Sequence, residues 1–241
     1  MAVAQKDFGV FGKFDISLPI VYIIGNEIFI GGSNMERNMH LSKIRDRIMQ
    51  SKTGDIFVPS DFKDIAERTT IKMALSRLCD EQALRRIMRG VYEYPEYSEL
   101  LQEFVSPDPD KVAQALARNC GWTIVPCGDT ALNLLRLSTQ IPNVWSYVSD
   151  GPYKTYEFDN TQIKFKHTTN KEIAGISYKT ALVIQALKTL GSDKVDDKVV
   201  TKLSKGLAEK EKRALLMESQ YATSWIFETI KRIIKVGDVN A

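Results

Sequence analysis

The chain has 241 residues, of which 44% are hydrophobic and 26% charged, with 33 Lys and Arg against 30 Asp and Glu. These are globular proportions in a chain long enough to bury a core without covalent staples, and they exclude a collagen-like fibre, a coiled-coil rod and a wholly disordered polymer. The net charge of +3 names no partner, so local charge has to be read instead.

Cys79, Cys120 and Cys127 form an odd set without CxxC spacing. That pattern reads as the reduced thiols of a cytoplasmic protein rather than a disulfide scaffold. His40 and His167 stand far apart, so no Cys/His zinc pattern arises and no metal or organic cofactor is implied. No apolar run reaches the ~20 residues of a membrane helix. The best candidate, residues 16–30, is interrupted by Gly25, Asn26 and Glu27 and lacks a basic start, so it does not read as a signal peptide.

In chain order, residues 1–38 differ from the rest in being glycine-rich. Val21-Tyr22-Ile23-Ile24 and Ile28-Phe29-Ile30 flank Gly25-Asn26-Glu27, the pattern of a short hairpin. A translated leader, with Met35 or Met39 as the natural start, is the alternative that the sequence leaves open. Residues 39–96 carry clearer signals. Leu41, Ile44 and Ile48 recur at helical spacing, and Gly54 ends that helix. Pro59 suits the first position of a second helix, with Phe62, Ile65 and Ala66 on its buried face. Thr69 or Thr70 can cap a third helix, whose Ile71, Ala74, Leu75 and Leu78 form one apolar stripe. Leu84-Arg85-Arg86-Ile87 and Val91-Tyr92-Glu93-Tyr94 on either side of Arg89-Gly90 read as a hairpin.

Three short helices followed by a hairpin are the order of a winged helix-turn-helix, whose third helix enters the DNA major groove. The face opposite the apolar stripe then presents Lys72, Met73, Ser76 and Arg77, with Thr69 and Thr70 at the helix N-terminus, where N–H groups meet phosphate. The hairpin adds Arg85, Arg86 and Arg89. Residues 37–94 hold 12 Lys and Arg against 8 Asp and Glu, a local excess larger than that of the whole chain. Such charge supplies affinity for phosphate, and groove contacts supply sequence preference. A plain protein-interaction module with solvated basic helices remains the alternative at this point.

Residues 97–108, with Ser98, Ser106 and Pro107, read as a linker. Residues 109–241 are expected to form a mixed α/β domain with a helical tail. A helix over 110–120 precedes a strand over 122–125, and a helix opens at Asp129 or Thr130. Strands follow over 144–148, 153–158 and 162–166, separated by Asp150-Gly151-Pro152 and Asp159-Asn160. Helices follow over 178–190, 194–204, 207–219 and 222–236. The basic residues of that tail, such as Lys202, Lys205, Lys210 and Arg213, are diluted by Glu209, Glu211 and Glu218, so surface ion pairs explain them as well as DNA does.

Catalytic patterns are weak. The histidines have no GxSxG companion, and neither Gly31-Gly32-Ser33 nor Gly128-Asp129-Thr130 continues as a phosphate-binding loop. Asp150 and Glu157, with Lys164 and Lys166, allow comparison with a Mg²⁺-dependent nuclease, though Asp150 also suits an ordinary turn. That leaves a nucleic-acid-processing enzyme as the second function class. Trp145, Tyr147, Tyr153 and Tyr156 can stack on single-stranded bases, but core packing is the commoner fate of strand aromatics.

Residues 39–173, a little over half the chain, resemble the AbiEi-type antitoxins of bacterial type IV abortive-infection systems. The residues carrying the likeness are Ala74-Leu75-Ser76-Arg77-Leu78, Leu84-Arg85-Arg86-Ile87-Met88-Arg89-Gly90-Val91-Tyr92, Pro109-Asp110-Lys111-Val112-Ala113-Gln114-Ala115-Leu116-Ala117-Arg118, and the block 128–150 with Leu134-Leu135-Arg136-Leu137-Ser138-Thr139-Gln140 inside it. The resemblance implies a winged-helix repressor of its own operon, acting on double-stranded operator DNA. It also implies a nucleotidyltransferase-like toxin encoded alongside as the usual partner. The DNA-contacting residues it implies are Arg77 on the third helix and Arg85, Arg86 and Arg89 on the wing.

Overall fold

Two strands, Ile20–Ile24 (β1) and Glu27–Gly31 (β2), pair antiparallel at the start of the described chain, as the apolar runs around Gly25-Asn26-Glu27 predict. The computed structural model describes residues 20–24, 27–31, 33–168, 173 and 175–238. The expected turn residues Gly25 and Asn26, and residues 1–19 of the leader reading, lie outside them. Helix α1 (Ser33–Met49) begins before residue 39 and takes in both Met35 and Met39.

Strand β3 (Ile56–Phe57) follows, then a 3₁₀ turn at Pro59–Phe62 and helix α2 (Arg68–Asp80). The second helix expected at Pro59 is therefore shorter than its apolar spacing suggests. Asp61 Oδ2 accepts from Val58 N at 2.9 Å, and the segment before α2 is too short to repay the cost of nucleating an α-helix. Thr69 and Thr70 do not cap α2, because the cap position is Glu67, whose side chain makes no capping bond. The apolar stripe is borne out: Ile71, Ala74, Leu75 and Leu78 are buried, packed with Ile44, Ile48, Phe62, Leu84 and Tyr92.

Strands β4 (Arg85–Met88) and β5 (Val91–Glu93) form the expected hairpin, turned at Gly90 with φ +80°. With β3 they make a sheet in the order β3-β5-β4.

Residues 97–108 are more than a linker. They carry a two-stranded antiparallel ribbon, β6 (Tyr97–Ser98) and β7 (Glu103–Phe104). Arg85 fastens it to the hairpin. Its Nε donates to Glu93 Oε2 at 2.8 Å, its Nη2 donates to Val105 O at 2.7 Å, and its guanidinium lies 5.9 Å from the Phe104 ring centre. Glu93 is only 2% exposed. Burial raises its carboxyl above the ordinary glutamate range, and the Arg85 bond pulls it partly back.

Helix α3 (Pro109–Cys120) starts with Asp108 accepting from Asp110 N at 2.9 Å and stops at left-handed Gly121. Val112, Ala113, Ala115, Leu116 and Ala117 are all buried, an arc of roughly 200° at 3.6 residues per turn. One side of α3 meets Ile56, Val58 and Val91 of the N-terminal sheet. The other meets Ile124, Trp145, Tyr147, Ile163 and Phe165 in the same continuous core. Those residues belong to a second sheet of β8 (Ile124–Pro126), β9 (Val144–Ser149), β10 (Lys154–Phe158) and β11 (Thr161–His167), in the order β10-β11-β9-β8. Strands β9 and β11 are parallel, and the other pairs are antiparallel.

The opposite face of this sheet, with Val125 and Val148, packs on α5 (Tyr178–Leu190), and α4 (Asp129–Leu134) packs beside it. Every residue of α5 from Thr180 to Leu187 is buried, because its other side enters a helical bundle. Helices α6 (Asp197–Lys205), α7 (Glu209–Glu218) and α8 (Ser224–Asp238) complete that bundle around Leu187, Val200, Leu203, Leu215, Ile226 and Ile230. The fold is mixed α/β with a helical C-terminal tail.

Two stability outcomes are predicted. A β-carbon at Gly151 would lie 2.4 Å from the Trp122 ring, which stands edge-on to Phe165 at 5.6 Å. Gly151→Ala is expected to cost about 1–3 kcal/mol in denaturant unfolding, and an unchanged midpoint refutes the contact. Arg85→Ala strands the Glu93 carboxylate in the interior and is expected to cost about 3 kcal/mol. Adding Glu93→Gln should recover part of that loss.

The pH dependence follows from the raised Glu93 carboxyl. The fold takes up that proton more readily than the unfolded chain, so Glu93 weakens the native state as pH rises through the window just above the ordinary glutamate value. The stability of Glu93→Gln relative to the parent should therefore improve across that window. Melts between about pH 4 and about pH 7 that keep a constant difference refute this.

Candidate nucleic-acid interface

The buried stripe of α2 fixes which side faces water. Thr69, Lys72, Met73, Ser76 and Arg77 are all exposed and Thr70 is half-buried, so these six predicted residues share the helix's outer surface and first turn. Because the Glu67 side chain does not cap, the N–H groups of that turn are open to an anion. Arg77 Nε lies 3.3 Å from Glu81 Oε1, and Arg45 reaches the other oxygen of the same carboxylate. Both pairs are at the surface and hold little energy.

On the hairpin the three predicted arginines part company. Arg86 and Arg89 are exposed, and neither pairs with a carboxylate among the described residues. Arg85 is occupied, held by Glu93, Val105 O and the Phe104 ring. It shapes the hairpin instead of presenting charge. Sequence reading missed Arg68, exposed one residue ahead of Thr69. The signal was there in its i,i+4 spacing from Lys72.

Ion pairing sharpens the field of this surface. Asp64 accepts from both Arg47 nitrogens at 2.8 and 2.6 Å, which holds its carboxyl down at about 2. Asp55 is taken by Lys111 at 2.9 Å and Asp61 by Arg118 at 3.2 Å, both cations arriving from α3. Glu81 and Glu93 are taken by the arginines already described. Arg68, Lys72, Arg86 and Arg89 keep their charge uncompensated by any such pair among the described residues, which is the condition for an attractive potential toward phosphate.

The other candidate chemistry does not assemble. Asp150 Oδ1 accepts from Thr123 N at 2.9 Å, a turn-closing role. Gln162 pairs in register with both Glu157 and Val144. Glu157 therefore sits level with the start of β9, whereas Asp150 follows its end, about 20 Å away at 3.3 Å per residue. Glu157 bonds Gln162 at 2.6 Å. Among the described residues no cluster of three His, Cys, Asp or Glu side chains converges on a metal position, and the three cysteines are unbridged.

Of the four aromatics, Trp145 and Tyr147 are core residues and Tyr156 packs against that core. Only Tyr153 projects into solvent, edge-on to His167. Tyr147 donates its hydroxyl to Asp110 Oδ1 at 2.9 Å, and burial pushes both groups above their ordinary values. A groove of about 420 Å³ between β3 and α3 is lined by Asp55, Asp61, Lys111, Arg118 and Gln114. Asp55 and Asp61 are paired with Lys111 and Arg118, and Asp110, which also lines it, accepts from Tyr147, so the groove is a seam between elements.

No helix among the described residues is long and apolar enough to cross a membrane. A comparison with curated proteins finds no match. A family model does match, over residues 43–215, from within α1 to within α7. That span takes in α2, its hairpin, the α3-centred core and the start of the helical tail as one inherited unit. The chain belongs to DUF6088, a family of unknown function.

Proposed function

We propose that the protein is a DNA-binding transcriptional repressor, with residues 39–96 acting as a winged helix-turn-helix. The observation that carries this reading is the outer surface of α2 with the adjoining hairpin. It offers Lys72, Met73, Ser76 and Arg77 opposite a fully buried stripe, and Arg86 and Arg89 beside it without acidic partners among the described residues. In this reading α2 lies in the major groove, where Arg77 meets guanine and Ser76 and Met73 contact neighbouring base edges. Thr69, Thr70 and the open N–H groups before Ile71 meet a phosphate. Arg86 and Arg89 contact the backbone or the minor groove, and Arg85 keeps the hairpin in shape.

The resemblance to AbiEi-type antitoxins extends the proposal. The quoted blocks fall on α2, the hairpin, α3 and the α4–β9 segment. The protein then acts in the cytoplasm as a type IV antitoxin that represses its own operon, alongside a nucleotidyltransferase-like toxin. The nuclease alternative loses its motivation because Asp150 follows the end of β9 whereas Glu157, on β10, is level with its start.

Fluorescence anisotropy with the DNA upstream of the protein's own gene, an unrelated duplex and several salt concentrations tests this. Tighter binding to the upstream DNA that survives physiological salt is expected, and equal, steeply salt-sensitive binding to both duplexes refutes the repressor. Arg77→Ala should weaken specific binding by ~1–3 kcal/mol and relax the preference at one base pair. Arg86→Ala and Arg89→Ala should each weaken binding to every sequence and lower the salt slope by about one.

A further inference from the structure

The β6–β7 ribbon displays an apolar surface that the DNA reading does not use. Leu100 at its tip is 92% exposed and Leu101 is 64% exposed, with Tyr97 and Phe104 half in water below them. The tip is not a loose loop. Leu101 N donates to Ser98 Oγ at 3.3 Å, Gln102 Nε2 donates to Glu99 O at 2.7 Å, and Gln102 holds a left-handed φ of 56°. Tyr97 and Phe104 meet edge-on at 5.4 Å, and Arg85 anchors the base. An ordered structure holding two leucines in water is the mark of an interface, since the ordering cost of binding has been met in advance.

Charge narrows the partner. Residues 96–108 hold Glu96, Glu99, Glu103 and Asp108 and no Lys or Arg. Glu99 and Glu103 pair with no cation among the described residues. Two ribbons facing each other would set these carboxylates against themselves, which disfavours a symmetric ribbon–ribbon contact.

The complementary surface lies on α7. Lys210, Arg213 and Met217 follow one another at helical spacing on its exposed side, and Tyr221 continues that line just past the helix end. Met217 is 70% exposed, Tyr221 is 99% exposed and Leu216 adjoins them. Neither Lys210 nor Arg213 pairs with a carboxylate among the described residues. We infer that the β6–β7 ribbon of one molecule docks on the α7 face of a second copy, its leucines against Met217 and Tyr221 and its glutamates against Lys210 and Arg213. The two patches differ, so the contact is heterologous, and it grows a ring or an open chain rather than stopping at a symmetric dimer.

Light scattering coupled to size exclusion on the full chain over a wide concentration range tests this. The parent should form species larger than a monomer as concentration rises, and added salt should weaken them. Leu100→Ser with Leu101→Ser should be monomeric, and so should Met217→Ser with Tyr221→Ser. An equimolar mixture of the two doubly substituted proteins should form a dimer and nothing larger, because each pair retains one intact ribbon and one intact helix face. Glu99→Lys with Glu103→Lys, which keeps the leucines, should also be monomeric. A parent that stays monomeric throughout refutes the docking and points to a different protein as the ribbon's partner. A mixture that fails to dimerise, or a substituted protein that still assembles, refutes the pairing of these two faces.

Discussion

Helix α3 is buried on two sides, and the placement of both sheets depends on it. A surface helix hides a single stripe, but α3 hides about 200° of its circumference. Alanines at 113, 115 and 117 let backbones approach closely. Where its surface does reach water, Lys111 and Arg118, seven residues apart and so on one side, reach Asp55 and Asp61 beside β3. Lys111 and Arg118 also donate to the Gly54 and Ile56 carbonyls, at 3.0 and 3.1 Å. Apolar burial and directed hydrogen bonds thus fix the same relation, and the N-terminal sheet cannot reorient without losing both.

The same pairing shapes the outer surface of α2. Carboxylates near β3 are answered by cations from α3, so the cations of α2 and the hairpin are left to face solvent. Strand alternation then separates neighbours that look identical in sequence. Arg85 and Arg86 are adjacent, so they point to opposite faces of β4. Arg85 stands opposite Glu93 in the register of the pair and is absorbed by the fold. Arg86 stands outside.

Much of this was legible in the sequence where one local rule dominates. The stripe of α2 and the Arg-Gly turn declare themselves by spacing, and the tail helices by apolar periodicity. The rest depends on partners distant in the chain. Whether Arg85 or Arg86 is free depends on which face of β4 meets Glu93, and residues 85–86 cannot declare that. The ribbon at 97–104 has two-residue strands, too short for any period, and its proline and serine neighbours mimic a linker. The double burial of α3 looks like ordinary amphipathicity until the second sheet is in view. Asp150 and Glu157, seven apart in sequence, lie far apart because β10 runs back antiparallel to β9 and carries Glu157 to the level of that strand's start.

The shared core also bears on how the protein comes off the ribosome. Strands β3 and β5 are made early, yet Ile56 and Val91 on them, and Val58 just after β3, are buried in a core whose α3 portion comes later in the chain. Until synthesis has passed Cys120 and that helix has cleared the exit tunnel, the nascent chain holds a sticky sheet with no lid. A fragment ending before Pro109 would carry every residue of the α2 surface and still expose that face. The outer surface of α2 is thus complete in sequence well before the body that carries it is complete as a fold, so chaperones and proteases meet it unfinished.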